Sequence, residues 1–404
     1  MNKFFFFFTF SFLLGSNPSF SESSILKYRT SFNFHTEKLF GKQQELEASD
    51  ANIEYSIKYN NQLLSSNLIL NHHTQNGLNF DGSNLQFSKG NAQFGFGKIN
   101  RNWSFSKNSS LILSSNARPI ESIYFKFENK FDLNFLPSST NWSIEIINGA
   151  TQKSRNKGQS MLFGARAVIS PIQNLKFELF QTSQWGGNKD KINSNMLTGI
   201  LFGNTNEGNS AYINKMAGFG ALYQMPVSYL PISIYGQTVG EDEAGNLPSC
   251  LSYLAGIEWS LLELKYPTTA TFEFIDTRTQ VSTNGFCGPN SMYNNSNYDY
   301  VNYDKSLGAS IDSEGTSLEF LGQTFINNNL SVKYSHKILT INDTANVTHR
   351  LTSNRETGSI TSLGLSWKKN RFNINGYINQ QNLTLDKASI KRGTALGLST
   401  SITF

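Results

Sequence analysis

The sequence is short of charge. Its 404 residues include 34 Lys+Arg and 29 Asp+Glu, which is 16% of the chain and a net charge of +5. A soluble globular domain carries about 25%. No cluster of Lys or Arg stands out, so a nucleic-acid partner is not expected. Histidine is scarce: His35, His72, His73, His336 and His349 make up the full set of 5, and none has a Glu at zinc-motif spacing. Adjacent rings at His72 and His73 point to opposite faces of a strand and cannot share one ion. No metal and no other cofactor is therefore expected. The nucleophile elbow and the phosphate-binding loop are missing too, and no catalytic set points to an enzyme. Beyond the N-terminus, no apolar run nears the ~18 residues of a helical membrane span.

What is present is aromatic and β-forming. Aromatics reach 13% through 32 Phe, 16 Tyr and 5 Trp, alongside 31 Gly and many Ser, Thr and Asn. Disordered chains are poor in aromatics, so disorder does not fit. Residues Met1-Asn2-Lys3 followed by the apolar run Phe4 to Leu14 and by Ser19-Phe20-Ser21 read as a secretory signal peptide over residues 1–21. Residues 22–404 form one exported domain.

That domain alternates with period two. Leu396, Leu398, Ile402 and Phe404 share one parity, while Ala395, Gly397, Ser399 and Ser401 share the other. The same holds for Phe372-Ile374-Ile378, for Leu363-Leu365-Trp367 and for Leu330-Val332-Tyr334 against their small or polar neighbours. The connections alternate between short (Lys369-Asn370, Asn327-Asn328) and long (Leu339 to Gly358, Gln280 to Ser313). A sandwich has no reason to sort its loops this way; an outer-membrane barrel does. The expectation is all-β: a transmembrane up-and-down barrel of the bacterial outer membrane, about 18 antiparallel strands, with short periplasmic turns and long extracellular loops. Its apolar parity faces lipid. The terminal Phe404 closes the last strand as a signal for barrel-assembly machinery. Residues 43–130 are the hardest to divide, since Asn116-Ala117-Arg118-Pro119 reads as a turn or as a kink within one strand.

Chemistry-bearing residues are few. Lys126, Glu145, Arg166, Lys176, Glu178, Glu273 and Lys333 fall on the lumen parity with mixed sign, which suits cross-strand pairing inside the barrel. Cys250 and Cys287 both fall on extracellular segments in an oxidising compartment, either bridged or as two free thiols. Glu241-Asp242-Glu243 with Gly245 reads as a compact acidic loop. Sugar binding calls for flat aromatic faces with amides and carboxylates beside them. The Asn/Tyr-rich segment carrying Tyr293, Tyr298, Tyr300 and Tyr303 supplies these, as does Gln184-Trp185-Gly186-Gly187.

Several segments in order resemble the Wzi family of capsule-assembly outer-membrane proteins. They are Gly97-Lys98-Ile99-Asn100-Arg101-Asn102-Trp103, Ser109 to Ile120 with Asn116 and Arg118, and Leu162-Phe163-Gly164-Ala165-Arg166. Thr182 to Gly187, Tyr235-Gly236-Gln237 and Gly240 to Gly245 with Glu241, Asp242 and Glu243 follow, then Tyr253 to Glu258 and Phe272 to Thr277. The resemblance implies an eighteen-stranded, lectin-like barrel that anchors capsular polysaccharide at the cell surface. The class alternative is a diffusion porin for small polar solutes. Family members begin with helical segments that plug the periplasmic end, whereas Ile25 to Phe34 already alternates like a strand. The glycine-rich turn of the family after Trp103 is replaced by Ser104-Phe105-Ser106-Lys107.

Overall fold

The computed structural model describes residues 25–40, 51–73, 77–132, 139–152, 158–186, 198–201, 213–226, 231–244, 247–279 and 287–404. The signal-peptide region 1–21 lies outside them. The first strands are Ile25–His35 (β1), Ala51–Asn60 (β2), Leu64–His73 (β3), Gly77–Asn79 (β4), Asn84–Lys89 (β5), Ala92–Gly97 (β6) and Glu121–Phe131 (β7). Thr140–Ala150 (β8), Met161–Ile172 (β9), Leu175–Trp185 (β10), Asn214–Gln224 (β11), Ile232–Ala244 (β12), Leu247–Leu261 (β13) and Thr268–Asp276 (β14) follow. A short ribbon of Val301–Asn302 (β15) and Lys305–Ser306 (β16) precedes Thr316–Phe325 (β17), Leu330–Ile341 (β18), Glu356–Lys369 (β19), Phe372–Gln381 (β20) and Gly393–Thr403 (β21).

All but β15 and β16 lie in one antiparallel sheet. It closes on itself where β1 pairs β21, from Arg29 opposite Thr403 to His35 opposite Gly397. The short β4 and β5 pair successive stretches of β3 and so share one position in the wall, leaving an 18-stranded barrel. Closure matters physically, because a membrane offers no water to satisfy an open sheet edge. Both chain ends of the barrel meet at one rim, where Phe404 N donates to Tyr28 O at 2.9 Å. That rim carries the tight turns, including Gly90-Asn91, Gln173-Asn174 and Asn370-Arg371. The opposite rim carries the long connections and faces the cell exterior.

The parity read from the sequence holds around the wall. Phe94, Phe96, Ile123, Phe125, Phe177, Leu179, Phe272, Phe274, Leu363, Leu365, Leu396 and Leu398 are exposed, forming the lipid-facing belt. Inward positions are small or polar, and some glycines there have a packing reason. Tyr124, Tyr235 and Tyr377 each lie directly opposite a glycine, at Gly95, Gly256 and Gly397. A Cβ at any of the three would run into the tyrosine ring, so the ring lies flat over the neighbouring strand where a side chain would otherwise stand.

The outer half of the lumen is filled. Residues 98–120 form neither strand nor surface loop; they fold into the barrel. Asn116 to Pro119 is thus neither of the two expected forms but part of this inward segment. Leu111, Ile112, Leu113, Ala117 and Ile120 pack there with Trp103. Met292, Tyr293, Tyr300, Leu307, Ala309 and Ile311 from the β14–β17 connection join the same cluster, as do Leu383, Leu385 and Ile390. The wall contributes Ile147, Leu162, Phe180, Met216, Val239 and Leu254. An apolar core of this kind is what burial drives whenever one barrel face must enclose loops of mixed polarity.

Candidate functional site

The inward segment is tethered by the charges on the lumen wall. Arg101 Nε lies 3.0 Å from Glu145 Oε1, and Trp103 Nε1 donates to Glu145 Oε2 at 3.1 Å. Trp103 is fully buried, with its ring against the place where a Cβ on Gly164 would stand, 2.8 Å away. On the next wall position Arg166 Nε donates to Glu178 Oε2 at 2.9 Å. Gln237 completes the set: its Nε2 donates to Trp103 O at 2.6 Å and its Oε1 accepts from Leu111 N at 2.8 Å. Tyr235 OH donates to Glu273 Oε2 at 2.8 Å, and Ser106 Oγ donates to the same oxygen. Of the mixed lumen charges, Glu145, Arg166, Glu178 and Glu273 therefore serve cross-strand and plug-to-wall contacts.

The Asn/Tyr segment sits differently from the surface platform expected of it. Tyr293, Tyr298 and Tyr300 are buried, whereas Tyr303 is 37% exposed. Tyr293 and Tyr300 stack with centroids 5.8 Å apart. The Tyr293 hydroxyl donates to Leu111 O at 2.8 Å and accepts from Ala309 N at 3.0 Å, and Tyr300 shares a 2.9 Å hydrogen bond with Thr182. Burial pushes both phenols well above their ordinary titration range. These rings pair the plug with itself and with the wall, so three of the four tyrosines present no face to a ligand. Apolar ring area is the reason: inside the barrel it packs against Leu111 and its neighbours instead of facing water.

The other expected positions divide between tether and rim. Gln184 is buried; it donates to Asp299 O at 2.9 Å and accepts from Asn214 at 3.0 Å. Trp185 is half-buried against Ile200 and Ile213. Gly186 adopts a left-handed φ of 68°, and Gly187 lies outside the described residues. Glu241 belongs to β12 and not to a loop, because β12 and β13 run on as a hairpin to Ala244 and Leu247. Its Oε2 accepts from Tyr293 N at 2.9 Å. The side chains of Asp242 and Glu243 lie outside the described residues. Cys250 and Cys287 are joined in a disulfide, Cα to Cα 5.2 Å, which ties the β12–β13 hairpin to the β14–β17 connection.

One cavity opens among the outer loops. It measures about 380 Å³ and is lined by Lys38, Phe40, Asn116, Tyr303, Asp304, Lys305, Thr348, Arg350 and Lys387 among others. That volume lies in the range of small-ligand sites. The Tyr303 ring is held from one side by the Arg118 guanidinium, 3.9 Å from its centroid, and Arg118 Nε is itself bound to Asp81 Oδ2 at 2.6 Å. Asn116 Nδ2 donates to Ser306 O at 2.8 Å, fixing the amide beside the ring. Beneath lies a buried ion pair: Arg350 Nε donates to Asp312 Oδ2 at 2.8 Å, and Asp299 Oδ1 stands 3.8 Å from Arg350 Nη1. Burial pushes the Asp312 carboxyl up, but the Arg350 charge and hydrogen bonds outweigh this and hold it below its ordinary value. Burial lowers the His349 imidazole, against the pull of Asp312, and its Nε2 meets Ser313 O at 2.9 Å. Lys387 Nζ donates to His349 O at 3.0 Å.

Asn116, Arg118 and Tyr303, expected separately as motif positions and as a sugar-contacting ring, lie together at this cavity. Asp312, Arg350 and Lys387 also line it, residues that no sequence motif marks, as does His349, which the sequence offered only as one of five scattered histidines. Asp312 and Arg350 lie 38 positions apart in polar loops, with no spacing that would announce them. Among the described residues no cluster suited to a metal occurs. The arrangement offers an aromatic face, amides, ammonium groups and carboxylates on a rigid floor.

Known proteins share the barrel fold. The family described as capsule assembly protein Wzi matches residues 18–386. A Klebsiella pneumoniae protein described as an uncharacterized 55.8 kDa protein in the cps region is 31% identical over 143 residues. That match covers 35% of this chain and spans only 28% of the relative. The structure of Escherichia coli Wzi is described as an outer-membrane protein of group 1 capsule assembly and a carbohydrate-binding β-barrel. It superposes with a TM-score of 0.76 at 20% identity, covering 93% of this chain and 84% of that one. Pseudomonas aeruginosa OprD gives a TM-score of 0.53 at 8% identity and covers 95% of both chains, which is a likeness of barrel alone. The chain belongs to the Wzi family of capsule-assembly proteins and is an outer-membrane barrel.

Proposed function

We propose that this barrel is a non-enzymatic, lectin-like anchor that binds capsular polysaccharide and retains it at the cell surface. The observation that carries the reading is the outer cavity: a clamped, part-exposed Tyr303 ring beside Asn116 and three lysines, on the face that meets the cell exterior. Sugar rings pack their C–H faces on such an aromatic and hydrogen-bond their hydroxyls to amides and charged groups. One ring contact contributes about 1 kcal/mol, so a single site is weak, of millimolar order at about −4 kcal/mol. A repeating polymer meeting many barrels is still held, because linked weak contacts multiply. The apolar plug argues against the porin alternative, since it occupies the outer lumen where a solute would pass.

The reading also names two further partners. Outer-membrane lipid surrounds the belt of Phe, Leu and Ile, and the assembly machinery takes the exposed Phe404 ring at the last strand. The test of function is cellular. Cells carrying Tyr303→Ala with Lys387→Gln should release capsule into the medium while polymer synthesis and the heat-modifiable barrel persist. A normal capsule layer on those cells, with loss only on whole-gene deletion, would move the binding surface elsewhere. An attached capsule even after deletion removes the anchor reading altogether.

A further inference from the structure

The plug fills only the outer half of the lumen, and a second cavity lies beneath it. It measures about 680 Å³ and is lined by Lys107, Glu258, Gln323, Lys333, Ser366 and Asn375 among others, the last four within a few residues of the turns at the periplasmic rim. Most inward charges of the barrel are paired: Arg101 with Glu145, Arg166 with Glu178, Lys337 with Glu319, Lys107 with Glu258 and Lys126 with Glu128. Lys333 breaks the pattern. Its neighbours Ser331 and Ser335 share its inward parity, and among the described residues its ammonium meets no carboxylate. Lys27, Arg29, Lys58 and Lys176 share this condition, each on the parity opposite an exposed apolar residue such as Tyr28, Ile57 or Phe177. The inward carboxylates at this end, Glu128 and Glu258, are already taken, and Glu54 lies nearer the outer end of its strand. With Lys333 on the cavity lining and Lys27, Arg29, Lys58 and Lys176 on the barrel wall at the same end, the periplasmic vestibule carries a surplus of positive charge, which focuses field on anions entering it.

The wall between these charges is built for hydroxyl-rich ligands. Asn375, Ser335, Ser362 and Ser366 line it, with Tyr377 lying flat over Gly397. Asn379, 3% exposed, lines the same cavity; its Oδ1 accepts from Ser362 Oγ, while its Nδ2 finds no acceptor among the described residues. Turning the amide over leaves the oxygen orphaned instead, so one polar atom lacks a partner either way. Several buried polar atoms among the described residues lack a protein partner; this one lies on the cavity wall, where its hydrogen-bonding capacity is open to a hydroxyl of whatever occupies the cavity.

We infer that the vestibule beneath the plug is a second saccharide site, facing the periplasm and selective for sugar units that carry a carboxylate. The choice of a sugar rests on the polysaccharide reading above; the selectivity for acid rests on the unpaired cations alone. The site differs from the outer cavity in both position and residues.

The test uses the full-length barrel in neutral detergent, titrated with trigalacturonate and with maltotriose and read by saturation-transfer NMR and calorimetry. Trigalacturonate should bind saturably, at least tenfold more tightly than maltotriose, and should weaken as salt is raised. The double variant Lys58→Gln, Lys333→Gln should lose at least tenfold in trigalacturonate affinity while keeping its heat-modifiable migration. Asn379→Leu should weaken both sugars. Equal trigalacturonate binding by wild type and the lysine variant overturns the proposal, as does the absence of saturable binding by either sugar. Capsule retention by the Tyr303 variant is read separately, so a failure here and a failure of the anchor reading are distinguishable.

Discussion

Replacing Trp103 by Ala should unseat the plug. The indole is 1% exposed, stands over the gap at Gly164 and donates its Nε1 hydrogen to Glu145 at 3.1 Å. Removing a buried Trp side chain costs about 3–5 kcal/mol in lost burial and cavity. The hydrogen bond to a carboxylate adds about 1.5–3 kcal/mol, and because such terms are not additive roughly 5 kcal/mol is a fair total. Arg101, the other partner of Glu145, lies in the same segment and keeps its ion pair while docked, so the loss falls on the docking equilibrium of segment 98–120. At about 1.4 kcal/mol per factor of ten, the undocked population rises by more than three orders of magnitude. Wild-type barrel in a planar bilayer should be silent, whereas Trp103→Ala should show bursts of conductance. Amide exchange across 98–120 should accelerate while exchange in β8 and β9 stays as in wild type. Silent Trp103→Ala with unchanged exchange would refute the idea that this indole holds the plug.

Three further outcomes are expected. Gly397→Val should displace the Tyr377 ring and lower the unfolding temperature, at a cost of about 1–3 kcal/mol for overpacking; Gly90→Val, at an open turn with no neighbour within 4 Å, should leave packing unchanged, its left-handed φ adding only local strain. Reduction of Cys250–Cys287, which closes 37 residues, should remove about 4 kcal/mol in the chain-entropy account, lowering the heat-unfolding temperature; free thiols at both positions in unreduced peptides would contradict the bridge. Stability of the outer loops should fall on acidification. The His349 pKa is lowered by folding, so its contribution is complete above the ordinary value of 6.5 and is lost as pH drops from there toward the folded value. Asp312, also lowered, adds a second loss below its ordinary 3.8. His349→Gln should abolish the first phase, as followed by proteolysis of the loops between pH 7.5 and 5.

The wall of the barrel was legible because its signal is local. Leu396, Leu398 and their neighbours declare a lipid face within one strand, and alternating loop lengths declare the two rims. The early strand at Ile25–His35 was legible for the same reason. The plug was not. Trp103 depends on Glu145 and Gln237, residues 42 and 134 positions away, and no pattern inside 98–120 reports them. A loop interleaving Tyr with Asn looks solvent-exposed until Leu111 and Thr182 are seen to receive its hydroxyls. Long loops over a barrel mouth have two destinations, outward or inward, and composition alone does not choose. Tyr303, Asn116 and Arg118 were legible as polar and aromatic candidates, but their meeting, and the Asp312–Arg350 floor under them, exist only in three dimensions.

The most direct measurement of the central claim is equilibrium binding of purified capsular polysaccharide from the native strain to the purified barrel immobilised in detergent. The wild type should bind polymer saturably, and Tyr303→Ala with Lys387→Gln should lose at least tenfold while its barrel still migrates as a folded species when unboiled. Wild-type protein that binds no polymer, or variant protein that binds it equally well, would contradict a polysaccharide site in the outer cavity.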